Sequence, residues 1–444
     1  MIKDFKRISA SNFKSFRNLQ LDLTPLTVLV GPNGSGKSNI LELVKFLYGC
    51  LKPASFPHYP FSTWWGYKNI VFGKKEDDPV HFGLTFSSDR WEADYKATIS
   101  GYGGELRFEE EHLSMSDIFQ INRTPAQGEI IFSRNILRQA QSAFDSPDLA
   151  KGLPFVPPRQ QFEIPGGQSF VSAFSSYSCR FEPTSGLFHG EIRLPEHLSP
   201  PFQPSQNGPR IAFVSPEITD PSLTVQPAQE AVRRPVFPSF LIDLQKTPVL
   251  VRQLDYPSMR NPSPYGNEGL EHGRGLVGTL SRMVLSSRDL PIRIDLAMKE
   301  FFPGWSLRFV PLPDGRIMMT VHDEAANIDL EPPSIPDGLY KMLTILVALE
   351  SRPDILLIDE IENSLHVRLI EHLLDAIRSS ETTTILTTHS PSVIDLVGLE
   401  ELVLVEKNGG ESIAQRVAEP TAVRNRLASG GVTPSESWLY GNLR

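Results

Sequence analysis

The chain has 444 residues, 40% of them hydrophobic, enough for one large α/β domain or two smaller ones with a sizeable core. Its formal net charge of -9 excludes holding nucleic acid through overall charge; a local basic patch or a partner would be needed, and composition alone neither supports nor excludes DNA. Two cysteines without a CxxC exclude a disulfide scaffold and suit a reducing compartment. No apolar run approaches the ~20 residues that span a bilayer, so a cytoplasmic protein without membrane attachment is expected.

Three short apolar stretches, around Ile8, at 19–23 and at 26–30, read as strands, and the last runs into Gly31-Pro32-Asn33-Gly34-Ser35-Gly36-Lys37-Ser38. A helix is predicted over 39–48. Residues 81–86, 91–99 and 106–108 are strand-like pieces separated by turn residues, which predicts an antiparallel meander. Between 151 and 265 lie half of the chain's 38 prolines, which excludes long helices there, and no sustained heptad pattern appears anywhere. That lobe is expected to be compact, loop-rich or partly disordered.

Beyond 268 regular structure resumes. A helix is predicted over 276–285, a hairpin with strands 307–311 and 316–321 around Pro313-Asp314-Gly315, a helix over 338–350 and a buried strand at 355–358. Leu365, Leu369, Ile370, Leu373, Leu374 and Ile377 recur at helical spacing, residues 384–387 form another buried strand, and 401–407 with 412–417 flank Asn408-Gly409-Gly410 as a last hairpin. From 421 onward a tail with a Gly430-Gly431 break is expected.

The Gly31 to Ser38 segment is a complete P-loop. Its glycines let backbone N–H groups close around a β-phosphate while the following helix presents its positive end. Lys37 would bridge β- and γ-phosphates and Ser38 would ligate Mg²⁺. The strand at 355–358 ends in Asp359 and Glu360, where an α/β sheet presents ligands. Asp359 would hold Mg²⁺ through water and Glu360 would polarise the attacking water. Adjacent placement of the two carboxylates is typical of the ABC-type branch of NTPases. After the strand at 384–387, His389 is positioned to hydrogen-bond a γ-phosphate. His366 and His372, six apart, point to different helix faces and predict no metal site. Arg252, Arg260, Arg274, Arg282, Arg288 and Arg293 read either as a DNA- or partner-binding surface or, with acids interspersed, as a mixed solvated face.

FKRISASNFKSFRNLQLDL at the N-terminus, the P-loop with its trailing Asn39, LLIDEIENSLH and TTHSP together resemble the SMC, RecF and OLD (overcoming-lysogenisation-defect) group of ABC-type ATPases. The resemblance covers roughly the first 110 and last 180 residues. It implies an α/β P-loop NTPase of ABC type, to which the strand pattern adds an inserted antiparallel β subdomain and the composition a Pro-rich insertion outside the resemblance. The expected domains are 1–110, the N-terminal part of the ATPase head with the P-loop and β subdomain; 111–265, the Pro-rich lobe; 266–420, the C-terminal part of the head; and 421–444, the tail. It further implies ATP and Mg²⁺ as ligands, with Asn33, Gly34, Ser35, Gly36, Lys37, Ser38 and Asn39 around the nucleotide, and a dimer in which each site is completed by a signature segment from the other copy.

That segment corresponds here to Ser334-Ile335-Pro336-Asp337-Gly338, in which Pro336 replaces the usual serine and offers neither hydroxyl nor N–H. Asp337 and Gly338 would still meet a phosphate in trans, although a capped helix with proline in its first turn explains the segment equally well. Residues 361–366 correspond to the loop that ABC-type dimers place across their interface. Since about 55 residues follow His389, too few for the TOPRIM domain of OLD nucleases, the expected role is the ATPase half of a bacterial anti-phage defence system with a separate nuclease effector. The alternatives are a RecF-like DNA-repair ATPase and a nucleotide-locked scaffold with little hydrolysis.

Overall fold

The computed structural model describes residues 4–51, 61–87, 92–101, 104, 106–115, 119–124, 127–132, 159–163, 177–182, 187–192, 211–212, 249–264 and 269–443. The chain forms two compact units, one from residues 1–18 and 46–246 and the other from 19–45 and 247–444. Among the described residues no helix is long and apolar enough to cross a membrane.

The first unit is built on an antiparallel meander in the order Asp4–Phe13, Val80–Ser87, Glu92–Ser100, Arg107–Met115, Phe119–Arg123, Gln127–Phe132, Arg159–Glu163. Period-two burial sets its faces: Ala93, Tyr95, Ala97 and Ile99 point inward while Glu92, Asp94 and Lys96 point to water. The predicted piece at 106–108 is in fact a strand running to Met115. Its run of glutamates hid the pattern, because Glu111 faces inward and is fully buried against Arg123 at 3.7 Å, with Tyr95 Oη donating to it at 2.7 Å. A carboxylate buried this way is tolerated only because both partners are present. In the same unit Cys50 is a buried free thiol, and burial raises its pKa. Of the Pro-rich stretch the described residues form only short pieces, with Tyr177–Glu182, Leu187–Ile192 and Ile211–Ala212 paired antiparallel and Tyr256–Met259 as a single helical turn; the remainder of that expected lobe lies outside the described residues.

The second unit carries a six-stranded sheet in the order Val249–Val251, Ile355–Ile358, Thr383–Thr388, Leu26–Val30, Leu402–Asn408, Glu411–Arg416. All neighbours are parallel except the last pair, which is the predicted terminal hairpin. Leu26–Val30 and Ile355–Ile358 are buried at every position, as central parallel strands covered on both faces require. The helix Asp337–Glu350 is buried from Leu339 to Leu349, so it is a core helix rather than an amphipathic surface one. Val367–Arg378 buries Leu369, Ile370, Leu373, Leu374 and Ile377 along one stripe. Leu365 lies before its start, because His366 caps that helix, its Nδ1 accepting from Arg368 N at 3.3 Å.

Two helices, Ile292–Phe301 and Pro391–Leu396, and the third strand Ile328–Leu330 of the 305–323 hairpin were not anticipated. The expected tail holds two more helices, Pro420–Gly430 and Pro434–Leu439. The first buries only Val423 and Leu427, too little pattern to read, and stops at Gly431 with φ 62°. The second is set by a capping box between Thr433 and Glu436.

Candidate functional site

Parallel pairing brings four loops out at one end of the second unit's sheet, the carboxyl end where α/β folds place ligands. Val30 leads into the P-loop, Ile358 into Asp359-Glu360, Thr388 into His389 and Val251 into Arg252. Gly31 is demanded by space: a Cβ there would lie 2.1 Å from the carbonyl oxygen of Val405. Gly34 and Gly36 are demanded by conformation, at φ 77° and 111°. Lys37 opens the helix Lys37–Leu51 and turns its Nζ back to donate to the carbonyls of Gly31 at 2.6 Å and Pro32 at 3.1 Å. Burial lowers its pKa, opposed by the charges of Asp359, Glu360 and Glu362. Among the described residues the buried Ser35 hydroxyl has no hydrogen-bond partner, and Asn39 N closes the turn onto Gly36 O at 3.0 Å. Asn33 and Gly34 stand exposed at the loop's tip.

Register explains how Asp359 is held. Ile358 pairs with Leu386, so the neighbouring strand runs two residues farther and sets Thr387 beside the carboxylate pair. Thr387 Oγ1 donates to Asp359 Oδ1 at 2.6 Å and accepts from Glu360 N at 2.8 Å. Ser38 Oγ donates to the same Asp359 oxygen at 3.1 Å. On the other side Arg252 Nε lies 2.8 Å from Asp359 Oδ2, while its Nη1 donates to Glu42 Oε1 at 2.6 Å. The arginine run therefore does not form one free basic surface: Arg252, Arg260, Arg274 and Arg293 each engage a carboxylate.

The loop after the carboxylates holds the remaining candidates. Glu360 is at φ 51°, a left-handed conformation uncommon without glycine, and Asn363 Nδ2 donates to its Oε2 at 2.6 Å. Glu362 Oε1 accepts from the backbone N of His389 at 2.8 Å and lies 3.1 Å from its Nδ1. Beneath the loop Lys341 donates to the carbonyls of Glu360 at 2.8 Å and Asn363 at 2.9 Å, and burial pushes its pKa down to about 8.

Ser38, Asp359 and Glu360 thus share a network with Thr387, Arg252 and Lys341, while His389 pairs separately with Glu362; the motifs alone assigned none of these four partners to the site. Thr387 sits inside a quoted motif. Lys341 had a readable signal, as the single cation of its helix and the one charge between Leu339 and Leu349.

The signature positions form a second group. Pro336 caps the helix Asp337–Glu350 without a side-chain bond, and Asp337 pairs with Arg260 at 2.7 Å. The Arg260 guanidinium lies 5.9 Å from the ring centres of both Tyr256 and Tyr340. Gly338 packs against the 360–364 loop, where a Cβ would come 2.7 Å from Ser364 O.

Among the described residues no group of three or more His, Cys, Asp or Glu could hold a metal. One hydroxyl and one carboxylate, Ser38 and Asp359, nevertheless suit Mg²⁺, which takes few protein ligands when phosphates and water complete its shell. The orphaned Ser35 hydroxyl and the lysine folded onto its own loop likewise fit a phosphate cradle.

Two family models match: one described as "AAA domain" over residues 7–141, and one described as "AAA domain, putative AbiEii toxin, Type IV TA system" over 265–395. The chromosome partition protein Smc of Methanocaldococcus jannaschii is 41% identical over 73 residues, covering 16% of this chain and 6% of that one. The OLD nuclease of Thermus scotoductus is 41% identical over 49 residues, covering 11% and 9%, and the DNA replication and repair protein RecF of Rickettsia akari is 49% identical over 43 residues, covering 9% and 12%. The matches thus span a small part of each relative's length. Among solved structures, an SMC head bound to the C-winged helix domain of ScpA gives a TM-score of 0.46 at 13% identity, covering 94% of this chain and 99% of that one. The SMC head domain from Thermotoga maritima gives 0.39 at 14% identity, covering 93% and 98%. The two AAA domain matches and the sequence similarity to SMC, OLD and RecF proteins alike support the ABC-type ATPase group that these proteins share.

Proposed function

We propose that this chain binds ATP with Mg²⁺ and hydrolyses it as a nucleotide-driven homodimer. The observation that carries the reading is the joint exit of the P-loop, Asp359-Glu360 and His389 from neighbouring parallel strands, with Ser38 and Asp359 already 3.1 Å apart. Lys37 exchanges the carbonyls of Gly31 and Pro32 for β- and γ-phosphate oxygens, and the amides of 33–39 surround the phosphates. Ser38 and, through water, Asp359 would hold Mg²⁺, whose charge would offset that of the phosphates. Glu360, its carboxylate steadied by Asn363, orients the attacking water, and His389 meets the γ-phosphate. Asp337, Gly338 and their helix N-terminus meet the nucleotide of the second copy. A Glu360→Gln variant is expected to bind ATP, stop turning over and accumulate as a dimer in analytical ultracentrifugation; undiminished turnover would overturn the assignment.

The proposed setting is a sensor or regulator subunit in bacterial anti-phage defence, working with a separate nuclease. It is supported by the partial likeness to an OLD nuclease and by the toxin-system description of the family matched at 265–395. Metal-dependent DNA cleavage by the purified chain alone would contradict it. A second reading, a scaffold that holds ATP with scarcely any hydrolysis, is favoured by Pro336 at the signature serine's place; a single-turnover measurement separates the two.

A further inference from the structure

We propose that Lys341 is a positioning residue that ties Glu360 to the helix bearing the signature positions, so that a nucleotide presented to Pro336–Gly338 by a second copy of the chain is read out at Glu360 of this one. The inference rests on the reading of Glu360 as the group that orients water.

Residues 360–363 form a tight turn, closed by Asn363 N donating to Glu360 O at 3.1 Å. Lys341 Nζ binds both ends of it, donating to the carbonyls of Glu360 at 2.8 Å and Asn363 at 2.9 Å. Asn363 in turn fixes the Glu360 carboxylate at 2.6 Å, so backbone and side chain of Glu360 are both referred to the ammonium group. The restraint matters because Glu360 and Ser364 adopt φ 51° and 64°, conformations that persist only where the surroundings over-determine them.

Core filling does not account for a lysine here. It is 4% exposed in a helix whose other buried positions from Leu339 to Leu349 carry no charge, and an apolar side chain would fill the space without the desolvation cost of an ammonium. The same helix touches the loop a second time, one turn earlier, where Gly338 leaves no room for a Cβ against Ser364 O. Since about 3.6 residues make a helical turn, the signature positions and Lys341 lie on one short rigid rod, and displacement of its N-terminus is transmitted to the Glu360 turn.

The test uses the purified full chain, measuring steady-state ATP hydrolysis, affinity for a fluorescent ATP analogue, and ATP-dependent association. Lys341→Met is expected to lower kcat by at least about tenfold while KM, analogue affinity and association stay within about threefold. Lys341→Arg, which keeps charge and donors, is expected to recover most of the loss. Should Lys341→Met not fold, Lys341→Gln, with an amide able to serve the same carbonyls, is expected to fall between wild type and that loss. Wild-type kcat in the Met or Gln variant, or parallel loss of analogue binding and turnover in a folded variant, overturns the proposal. A wild-type chain that binds the analogue but does not hydrolyse ATP overturns instead the enzymatic reading beneath it, and the proposal with it.

Discussion

Arg252 holds Asp359 from the side opposite Ser38, its Nε 2.8 Å from Oδ2 while Ser38 Oγ lies 3.1 Å from Oδ1. The proposed metal-binding carboxylate is thereby fixed in rotation before any ligand arrives, and the arginine's second contact, Glu42, belongs to the helix that the P-loop starts.

Replacing Arg252 with methionine leaves Asp359, 8% exposed, and Glu42 facing each other without their shared cation. Loss of about 2 to 4 kcal/mol of stability is expected, read as a lowered denaturant midpoint, since removing one partner strands the other's charge. Half-saturation for Mg²⁺ in ATP hydrolysis should rise as well, whereas Arg252→Lys should preserve most of the stability.

The Thr387 hydroxyl serves Asp359 and the Glu360 amide at once. Thr387→Val conserves shape but leaves both groups short of one bond, so a cost of about 1 to 3 kcal/mol is expected. Turnover should fall more than ATP affinity, because the P-loop itself is untouched; an equal loss in both would assign Thr387 to the fold alone.

Gly31→Ala places a methyl 2.1 Å from the Val405 carbonyl oxygen, a backbone atom of a sheet strand that cannot swing aside. This substitution should abolish ATP-analogue binding outright. Gly34→Ala meets no neighbouring atom, so its cost is confined to the φ of 77°, about 1 kcal/mol or slightly more, with binding weakened rather than lost.

Burial holds the Lys341 pKa at about 8, below the ordinary 10.5, with Glu362, Glu360 and Asp359 opposing the shift. A cation whose folded-state pKa is depressed costs stability while it is charged in both states. That cost is full below about pH 8 and is progressively relieved as pH rises from there toward 10.5, where the unfolded chain binds the extra proton. The melting temperature of wild type should accordingly gain on that of Lys341→Met between pH 7 and pH 9.5. A constant difference across that range would show that the amine is not desolvated as described.

What could be read from the sequence was what local pattern encodes. The P-loop is contiguous, the strand before Asp359 is a short, wholly apolar run, and the one before His389 is a short β-branched run around Ile385 and Leu386, both of which advertise a buried sheet. The amphipathic stripe of Val367–Arg378 is equally plain. What escaped notice depends on register and on distance along the chain. Arg252 meets Glu42 across 210 positions, and nothing around Val249–Val251 signals that this three-residue strand lies beside Ile355–Ile358. Thr387 gained its role from an overhang of two residues between paired strands. Glu111 was masked by the glutamates beside it, and the Pro420–Gly430 helix by having only two buried side chains. Pro336 was visible, whereas the packing of its neighbour Gly338 on Ser364 was not.

The strand Leu26–Val30 lies between Thr383–Thr388 and Leu402–Asn408, both made long after it. During translation the glycine-rich loop that follows it therefore waits, with neither wall in place, until those later strands have left the ribosome. Throughout that interval a five-residue strand with four apolar side chains around Thr27 stands with both edges unpaired, a segment suited to capture by chaperones or to pairing with another nascent chain. Refolding yield in vitro should consequently fall steeply with protein concentration, and the position most worth guarding in an expression experiment is this early strand, far from the late residues that complete it.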